Sequence, residues 1–241
     1  MTAGRLSGRT AVVTGASSGI GLAVAHGFAR EGATVHAIAR RAVKGDATAP
    51  ERLVSHMQDL TEPAGTARVI EAAASLAGID IVVHAAGTNI PDRRLDQLTP
   101  DSWHALLATN LSAAFHVLRA SLPALRASRG SAVFISSVSA RWPDASGPAY
   151  QAAKGGLTSL VEAAALEEHE RGVRFTAIHP GVVDTPLLER RPAPPDAATR
   201  LLMIAPEDVA EACLFAVTLP PRVFVAEITL LPTALQALGR T

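Results

Sequence analysis

The sequence has one cysteine and no net charge: 22 Lys plus Arg balance 22 Asp plus Glu over 241 residues. A lone Cys213 cannot close an internal disulfide and gives no argument for an oxidising compartment, and its place in an apolar helical stretch reads as a packing residue. Balanced charge leaves no global field to attract nucleic acid or an acidic surface. No apolar stretch approaches the roughly 20 residues that a membrane-spanning helix needs. The polar start, Met1 to Thr10, is followed only by the short run Ala11 to Thr14, cut by Gly15, which is no signal-peptide core. Together these absences predict a cytoplasmic protein with neither membrane nor nucleic-acid partner. No histidine pair has helical spacing with a carboxylate, so no metal is expected, and Glu167-Glu168-His169-Glu170 reads as a solvated helix end.

What is present is an alternation of strand and helix in a chain of one-domain size, with 48% apolar residues. Strands are predicted at Thr10–Thr14, Ala33–Ala39, Arg52–Met57, Ile79–Ala85, Ser131–Ser136, Val173–His179 and Arg222–Leu230. Helices are predicted at Ile20–Glu31, Glu62–Ala77, Pro100–Ser128 (kinked or shortened at Pro123), Tyr150–Arg171 and Pro206–Leu219. Strands so continuously apolar are buried on both faces. The implied fold is α/β: a doubly wound, Rossmann-type parallel sheet of seven strands with helices on both faces, in three layers. The whole chain reads as one dinucleotide-binding and catalytic domain, with loop-like segments at Ala42–Pro50 and Leu187–Ala198 and a substrate loop over about residues 186–205.

Thr14-Gly15-Ala16-Ser17-Ser18-Gly19-Ile20-Gly21 follows the first strand and opens the first helix. Glycines there permit a tight turn and close backbone approach, and the helix N-terminus offers free N–H groups to a pyrophosphate. At the end of the second strand, where an NAD site usually carries an acid for the ribose 2′-hydroxyl, stand Arg40 and Arg41, and the next acid is Asp46. A guanidinium pairs with a 2′-phosphate that a carboxylate would repel, so NADP(H) is favoured, with NAD(H) as the alternative.

Tyr150 and Lys154 are four residues apart and share one helix face. A free phenol titrates near 10. A neighbouring ammonium and an oxidised nicotinamide both favour the phenolate, which lets Tyr150 pass a proton to or from a reacting oxygen.

With Pro180-Gly181-Val182-Val183-Asp184-Thr185, these motifs occur in an order and on elements that make the chain resemble the short-chain dehydrogenase/reductase family, in its short single-domain branch, from about Leu6 to Pro232. The resemblance implies reversible hydride transfer between a nicotinamide and a small-molecule carbonyl or secondary alcohol, most simply as a ketone or aldehyde reductase. It implies roles for Ser137, thirteen positions before Tyr150, in orienting the carbonyl (Ser136 is the fallback), and for Asn110 in holding a water chain to Lys154. Lys154 would also bind the nicotinamide ribose. Asp59 and Leu60 would meet the adenine edge, Ala85, Ala86 and Gly87 would line the cofactor, and Pro180, Gly181, Val183 and Thr185 would hold the carboxamide end. A homodimer or homotetramer built on the helices of Asn110 and Tyr150 is also implied. An NAD-dependent alcohol dehydrogenase and a catalytically weak dinucleotide-binding sensor or scaffold are the alternatives.

Two departures stand out. The family usually has Asn-Asn-Ala-Gly after the fourth strand, and here it is His84-Ala85-Ala86-Gly87. Ala85 thus replaces an asparagine that ties neighbouring strands, which predicts a cost in local stability more than in chemistry, with His84 as a packed or capping residue. The last strand runs into Leu231-Pro232-Thr233 where many relatives are glycine-rich. Trp142, Leu187 and Leu188 suggest an apolar lining near the substrate.

Overall fold

The computed structural model describes residues 4–235. Seven strands form one sheet in the order β3-β2-β1-β4-β5-β6-β7. They are β1 (Thr10–Thr14), β2 (Thr34–Ala39), β3 (Leu53–Met57), β4 (Ile81–His84), β5 (Ser131–Ile135), β6 (Arg174–Pro180) and β7 (Glu227–Leu230). Every neighbouring pair is parallel. The helices are α1 (Gly19–Arg30), α2 (Pro63–Ala77), α3 (Pro100–Leu107), α4 (Ala113–Ser128), α5 (Pro148–Glu168), α6 (Ala197–Arg200) and α7 (Pro206–Thr218).

Successive strand residues point to opposite faces, and the core divides accordingly. Val13 and Val35 face one way and pack with Val24 and Phe28 of α1 and Leu214 of α7. Val12, Ile38 and Phe134 face the other way and pack with Ile70 of α2, Leu118 of α4 and Leu157 of α5. This is the three-layer α/β sandwich that the uninterrupted apolar strands imply. Strand order reverses at β1, which lies between β2 and β4, so a crevice opens at the carboxyl ends of those strands.

Several elements depart from expectation. The long helix breaks at Asn110, not at Pro123. A π-turn spans Ala108–Ser112, where Asn110 Nδ2 donates to the carbonyl of Leu106 at 2.9 Å and takes the place of a backbone donor in the helical ladder. Pro123 lies inside α4 on its exposed side, where water can satisfy the carbonyl it leaves free. The last strand begins at Glu227 instead of Arg222, because the chain is still turning after Pro220-Pro221 (Val223 N–H to Pro220 O, 2.8 Å). The 187–198 segment, expected to be irregular, contains a 3₁₀ turn at Pro186–Arg190 and the single turn α6, capped by Asp196.

The acidic run at the end of α5 is also corrected. Glu168 is buried and makes a two-pronged ion pair with Arg126 of α4 (2.8 and 2.6 Å), because its side chain turns inward at the helix end while Glu167 and Glu170 stay exposed. Cys213 is buried on α7. Among the described residues no helix is long and apolar enough to cross a membrane, and no group of three metal-ligating side chains occurs.

Candidate active site

A cleft of about 1020 Å³ opens over the carboxyl ends of β1, β4, β5 and β6. Its floor is the β1–α1 turn. Gly15 has φ +66°, and a Cβ there would lie 2.7 Å from the backbone N of Ala86. A Cβ at Gly21 would lie 2.4 Å from the carbonyl oxygen of Gly15. Only glycine lets the turn fold this tightly against the β4 loop. Ser18, preceding α1, makes no side-chain cap, and the first turn of α1 carries no acid. The leading N–H groups of α1 are therefore left for an anion from outside, and Ser17, Ser18, Gly19 and Ile20 line the cleft beside them. This cradle fits the pyrophosphate of a dinucleotide.

At the end of β2, Arg40 and Arg41 are exposed and line the same cleft. Asp46 is absent from this corner: its carboxylate accepts from the N–H and hydroxyl of Thr48 and pairs with Arg30 (2.7 Å), contacts that hold it down at about 2. Asp59 accepts from the N–H and hydroxyl of Thr61 (3.0 and 2.8 Å). Those bonds, with the nearby charge of Arg40, keep it below the usual carboxylate range. Leu60 is buried, and its carbonyl faces His116 Nδ1 at 3.0 Å.

At the other end stand Tyr150 and Lys154 of α5. Lys154 is buried, donates to the carbonyl of Ile135 at 2.8 Å, and lies 5.7 Å from the centre of the Tyr150 ring. Burial pushes the Lys154 ammonium down to about 8. Tyr150 keeps part of its surface open to the cleft, yet the protein crowding it pushes the phenol up to about 12. The Ser137 hydroxyl and the charges of Arg93 and Arg191 pull it back down, and Asp144 adds to the rise.

The two serines at the end of β5 separate cleanly. Ser136 turns its hydroxyl into α5, donating to Lys154 O at 3.1 Å and sharing a hydrogen bond with Thr158 at 2.9 Å. Ser137 stays in the cleft, accepting from Ser139 N–H (3.1 Å) and donating to Ser139 Oγ (3.0 Å). Asn110 is fully buried. Its Oδ1 accepts from Thr88 N–H (2.9 Å) and its Nδ2 donates to Thr88 O (3.0 Å). A Cβ on Gly87 would lie 3.1 Å from Asn110 Oδ1 and 3.5 Å from Lys154 Nζ, so glycine there keeps the passage between the two open.

The third motif leaves β6 and folds back across the first. Thr185 covers Gly19 so closely that a Cβ on that glycine would lie 3.0 Å from the threonine methyl. Val183 bridges to Ile204, and Pro180, Gly181, Val183 and Thr185 all line the cleft. His179 is buried, with Nδ1 at 3.1 Å from the carbonyl of Ser137. Its Nε2 is 3.3 Å from Glu227 Oε2 without forming a hydrogen bond, and burial holds the imidazole below its usual range.

A profile of the short chain dehydrogenase family matches residues 9–195. The chain belongs to the short-chain dehydrogenase/reductase family. An uncharacterized oxidoreductase of Staphylococcus epidermidis is 32% identical over 93% of this chain and 97% of its own length. A D-beta-hydroxybutyrate dehydrogenase of Rhizobium meliloti is 34% identical over 80% and 78% of the two chains. The crystal structure of a metagenomic short-chain oxidoreductase in complex with NADP superposes with a TM-score of 0.80 at 33% identity, covering 95% of this chain and 99% of the other. The chain is therefore an oxidoreductase of the short-chain dehydrogenase/reductase type, a family that binds nicotinamide cofactors.

Where the family asparagine is replaced by Ala85, the short-chain dehydrogenase frame is tied one residue earlier: His84 Nδ1 and Thr14 Oγ1 are 3.0 Å apart between β4 and β1. Asn110 adds its double clamp on Thr88 at the far side of the same loop. The segments 88–95, 140–147 and 186–204 expected around the substrate do line the cleft, through Arg93, Asp144, Arg190 and Arg191 among others, but sequence reasoning gave these four residues no role and missed Ser139. The adjacent pair Arg190-Arg191 in a proline-rich segment was a further signal, but nothing in one dimension says that Arg93 donates to Arg190.

Proposed function

We propose that this oxidoreductase is an NADP(H)-dependent reductase of ketones or aldehydes, reversible in the direction of the secondary alcohol, with Tyr150 as its acid/base. The observation that carries the reading is the arrangement of one cleft: Tyr150, Lys154 and Ser137 at one end, and Arg40 with no acid at the end of β2 at the other. The family relative bound to NADP and the relative named for a hydroxy-acid dehydrogenase support it.

The bound nicotinamide supplies or accepts the hydride. The remaining work belongs to the chain. The α1 N-terminus and Gly15, Ser17, Ser18, Gly19, Ile20 and Gly21 seat the pyrophosphate, and Arg40 and Arg41 take the 2′-phosphate. Asp59 and Leu60 meet the adenine. Ala85, Ala86, Gly87, Pro180, Gly181, Val183 and Thr185 frame the nicotinamide end. Ser137 and Tyr150 hold the substrate oxygen, and the Tyr150 hydroxyl gives it a proton as negative charge develops there. Lys154 binds ribose and keeps a positive charge beside the phenol, which eases loss of that proton. Asn110 stands beside Lys154 as the start of the path by which a replacement proton enters. Oxidation of an alcohol uses the same groups in reverse.

One observation favours the second reading, an NAD-dependent alcohol dehydrogenase: Asp59 is near enough to Arg40 to feel its charge and so partly offsets it. A fluorescence titration of the protein with NADPH and NADH side by side tests both. Tighter binding of NADPH is expected. Tighter binding of NADH would transfer the proposal to the second reading, and binding of neither would overturn it.

A further inference from the structure

The substrate end of the cleft carries more positive charge than the chain itself can neutralise. Arg93 is 8% exposed. Its Nε donates to the carbonyl of Ile90 (2.8 Å) and its Nη2 to the carbonyl of Arg190 (2.6 Å), both neutral acceptors. Arg190 reaches to the hydroxyl of Thr88 at 3.0 Å, again a neutral acceptor. Arg191 follows it on the cleft wall. None of the three has a salt bridge among the described residues, and two acids close in sequence to Arg190 and Arg191 are claimed elsewhere. Arg200 takes both Asp184 (3.1 Å) and Glu189. The single carboxylate on this side of the cleft, Asp144, accepts from the N–H of Ser146 and from the hydroxyls of Ser139 and Ser146.

Burying a guanidinium with only neutral partners costs free energy unless an anion arrives to share the site. The charges of Arg93 and Arg191 are felt at Tyr150, and Arg93 feels Arg191, Tyr150 and Asp144, so the cluster belongs to the reacting end, where one carboxylate faces three guanidinium groups. The 2′-phosphate corner, with Arg40 and Arg41 at the end of β2, is a separate part of the cleft.

We propose that Arg93, Arg190 and Arg191 form an anion subsite, and that the substrate is a carbonyl or hydroxy compound carrying an acidic oxygen group, a carboxylate or a phosphate, close to the reacting carbon. The proposal rests on the reductase reading for its reacting carbon but not for its anion. Guanidinium forks match the two oxygens of such a group and fix its direction. The anion would hold the substrate so that its carbonyl oxygen meets Ser137 and Tyr150. Because Arg93 also fastens the 190–191 turn to the loop that follows Gly87, the same side chain sets the distance between the two walls of this subsite.

The test uses NADPH-loaded protein and three unreactive probes: butyrate, inorganic phosphate and butyramide. Fluorescence of the bound cofactor reports binding. An anion is expected to bind about ten-fold or more tightly than the amide, and less tightly as salt is raised. Whichever of butyrate and phosphate binds more tightly identifies the acidic group. Arg190→Ala and Arg191→Ala, both at exposed positions, should each weaken that anion by about ten-fold. Arg94→Ala removes a neighbouring arginine already paired with Asp96 and should leave it unchanged. Amide binding equal to that of the anions, no anion binding at all, or an equal effect of Arg94→Ala would overturn the subsite. Failure to bind NADPH would instead sink the reductase reading, and calorimetric titration of the cofactor-free protein with the same three probes would still decide the subsite.

Discussion

Thr14 Oγ1 and His84 Nδ1 lie 3.0 Å apart with both side chains wholly buried, and they join β1 to β4 at the base of the cofactor cleft. The imidazole packs against Phe134 on its other side (ring centroids 5.8 Å apart), and its Nε2 has no partner. Burial, with the Lys154 charge adding to it, drives His84 down to about 3, so it is neutral throughout the working range. A neutral imidazole here ties two strands without adding a charge beside Lys154.

The burial of His84 makes the fold acid-sensitive. An unfolded histidine titrates near 6.5. Below that pH the unfolded chain takes a proton that folded His84 refuses until about pH 3. Its stability is therefore full above about 6.5 and falls with pH, by roughly 1.4 kcal/mol per unit, reaching a loss of about 2 kcal/mol at pH 5. His36, His56 and His179 are also lowered by burial and act in the same direction. Melting temperatures at pH 7.5 and 5 should show the drop. The pair Thr14→Val with His84→Leu, which removes donor and acceptor together, should reduce it. A double variant with the wild-type slope would rule out His84 as a source.

Tyr150 and Lys154 predict a direction for the rate. With the phenol at about 12, its proton is available for donation across the neutral range. With Lys154 at about 8, its positive charge is complete at pH 6–7 and lost above that. Reduction should therefore be flat in kcat/KM on the acid side and fall as pH rises through about 8, and Lys154→Met should be slower and lack that fall. Tyr150→Phe should lower kcat by about 10²–10⁴-fold with little change in NADPH affinity, since only the proton carrier is removed. Wild-type turnover in Tyr150→Phe would disprove the acid/base assignment.

On the proposed reading, Arg40 selects between the two cofactors by charge. Arg40→Asp places a carboxylate where a 2′-phosphate is expected and adds to the negative charge of nearby Asp59. The ratio of NADPH to NADH affinity should fall by at least about ten-fold, worth some 1.4 kcal/mol. If the ratio stays put, the phosphate is held elsewhere.

The parts of this molecule that were legible in its sequence are those set by local spacing. The alternation of apolar strands and helices gave the layers, and Gly15, Gly19 and Gly21 marked the turn because a side chain at Gly15 or Gly21 would strike backbone. Tyr150 and Lys154 were visible as a pair on one helical face. Features that depend on distant partners were not. Glu168 looked solvated until Arg126, 42 residues away, was seen beside it. Arg93 and Arg190, 97 residues apart, meet only once the chain is folded. The break at Asn110 was hidden because an asparagine inserted into a helical ladder leaves no periodic trace, whereas Pro123 gave a loud signal that its exposed position made harmless.

Asn110 offers the sharpest separation of structure from chemistry. Its buried amide makes three hydrogen bonds, two of them to Thr88 and one to Leu106. A residue that only ordered water near Lys154 could be lost with little effect on stability. Asn110→Ala instead leaves main-chain groups of Thr88 and Leu106 without partners, each costing about 1–3 kcal/mol if water cannot reach it. A fall of several degrees in Tm is expected, together with loss of turnover as the loop after Gly87 loosens. Asn110→Asp keeps the acceptor for Thr88 N–H but loses both donated bonds and brings a negative charge near Lys154. It should therefore remain less stable than the wild type while moving the fall in the reduction profile to higher pH, because the carboxylate would favour the ammonium. An unmoved profile in Asn110→Asp would separate Asn110 from the proton path and leave it as the clamp on Thr88.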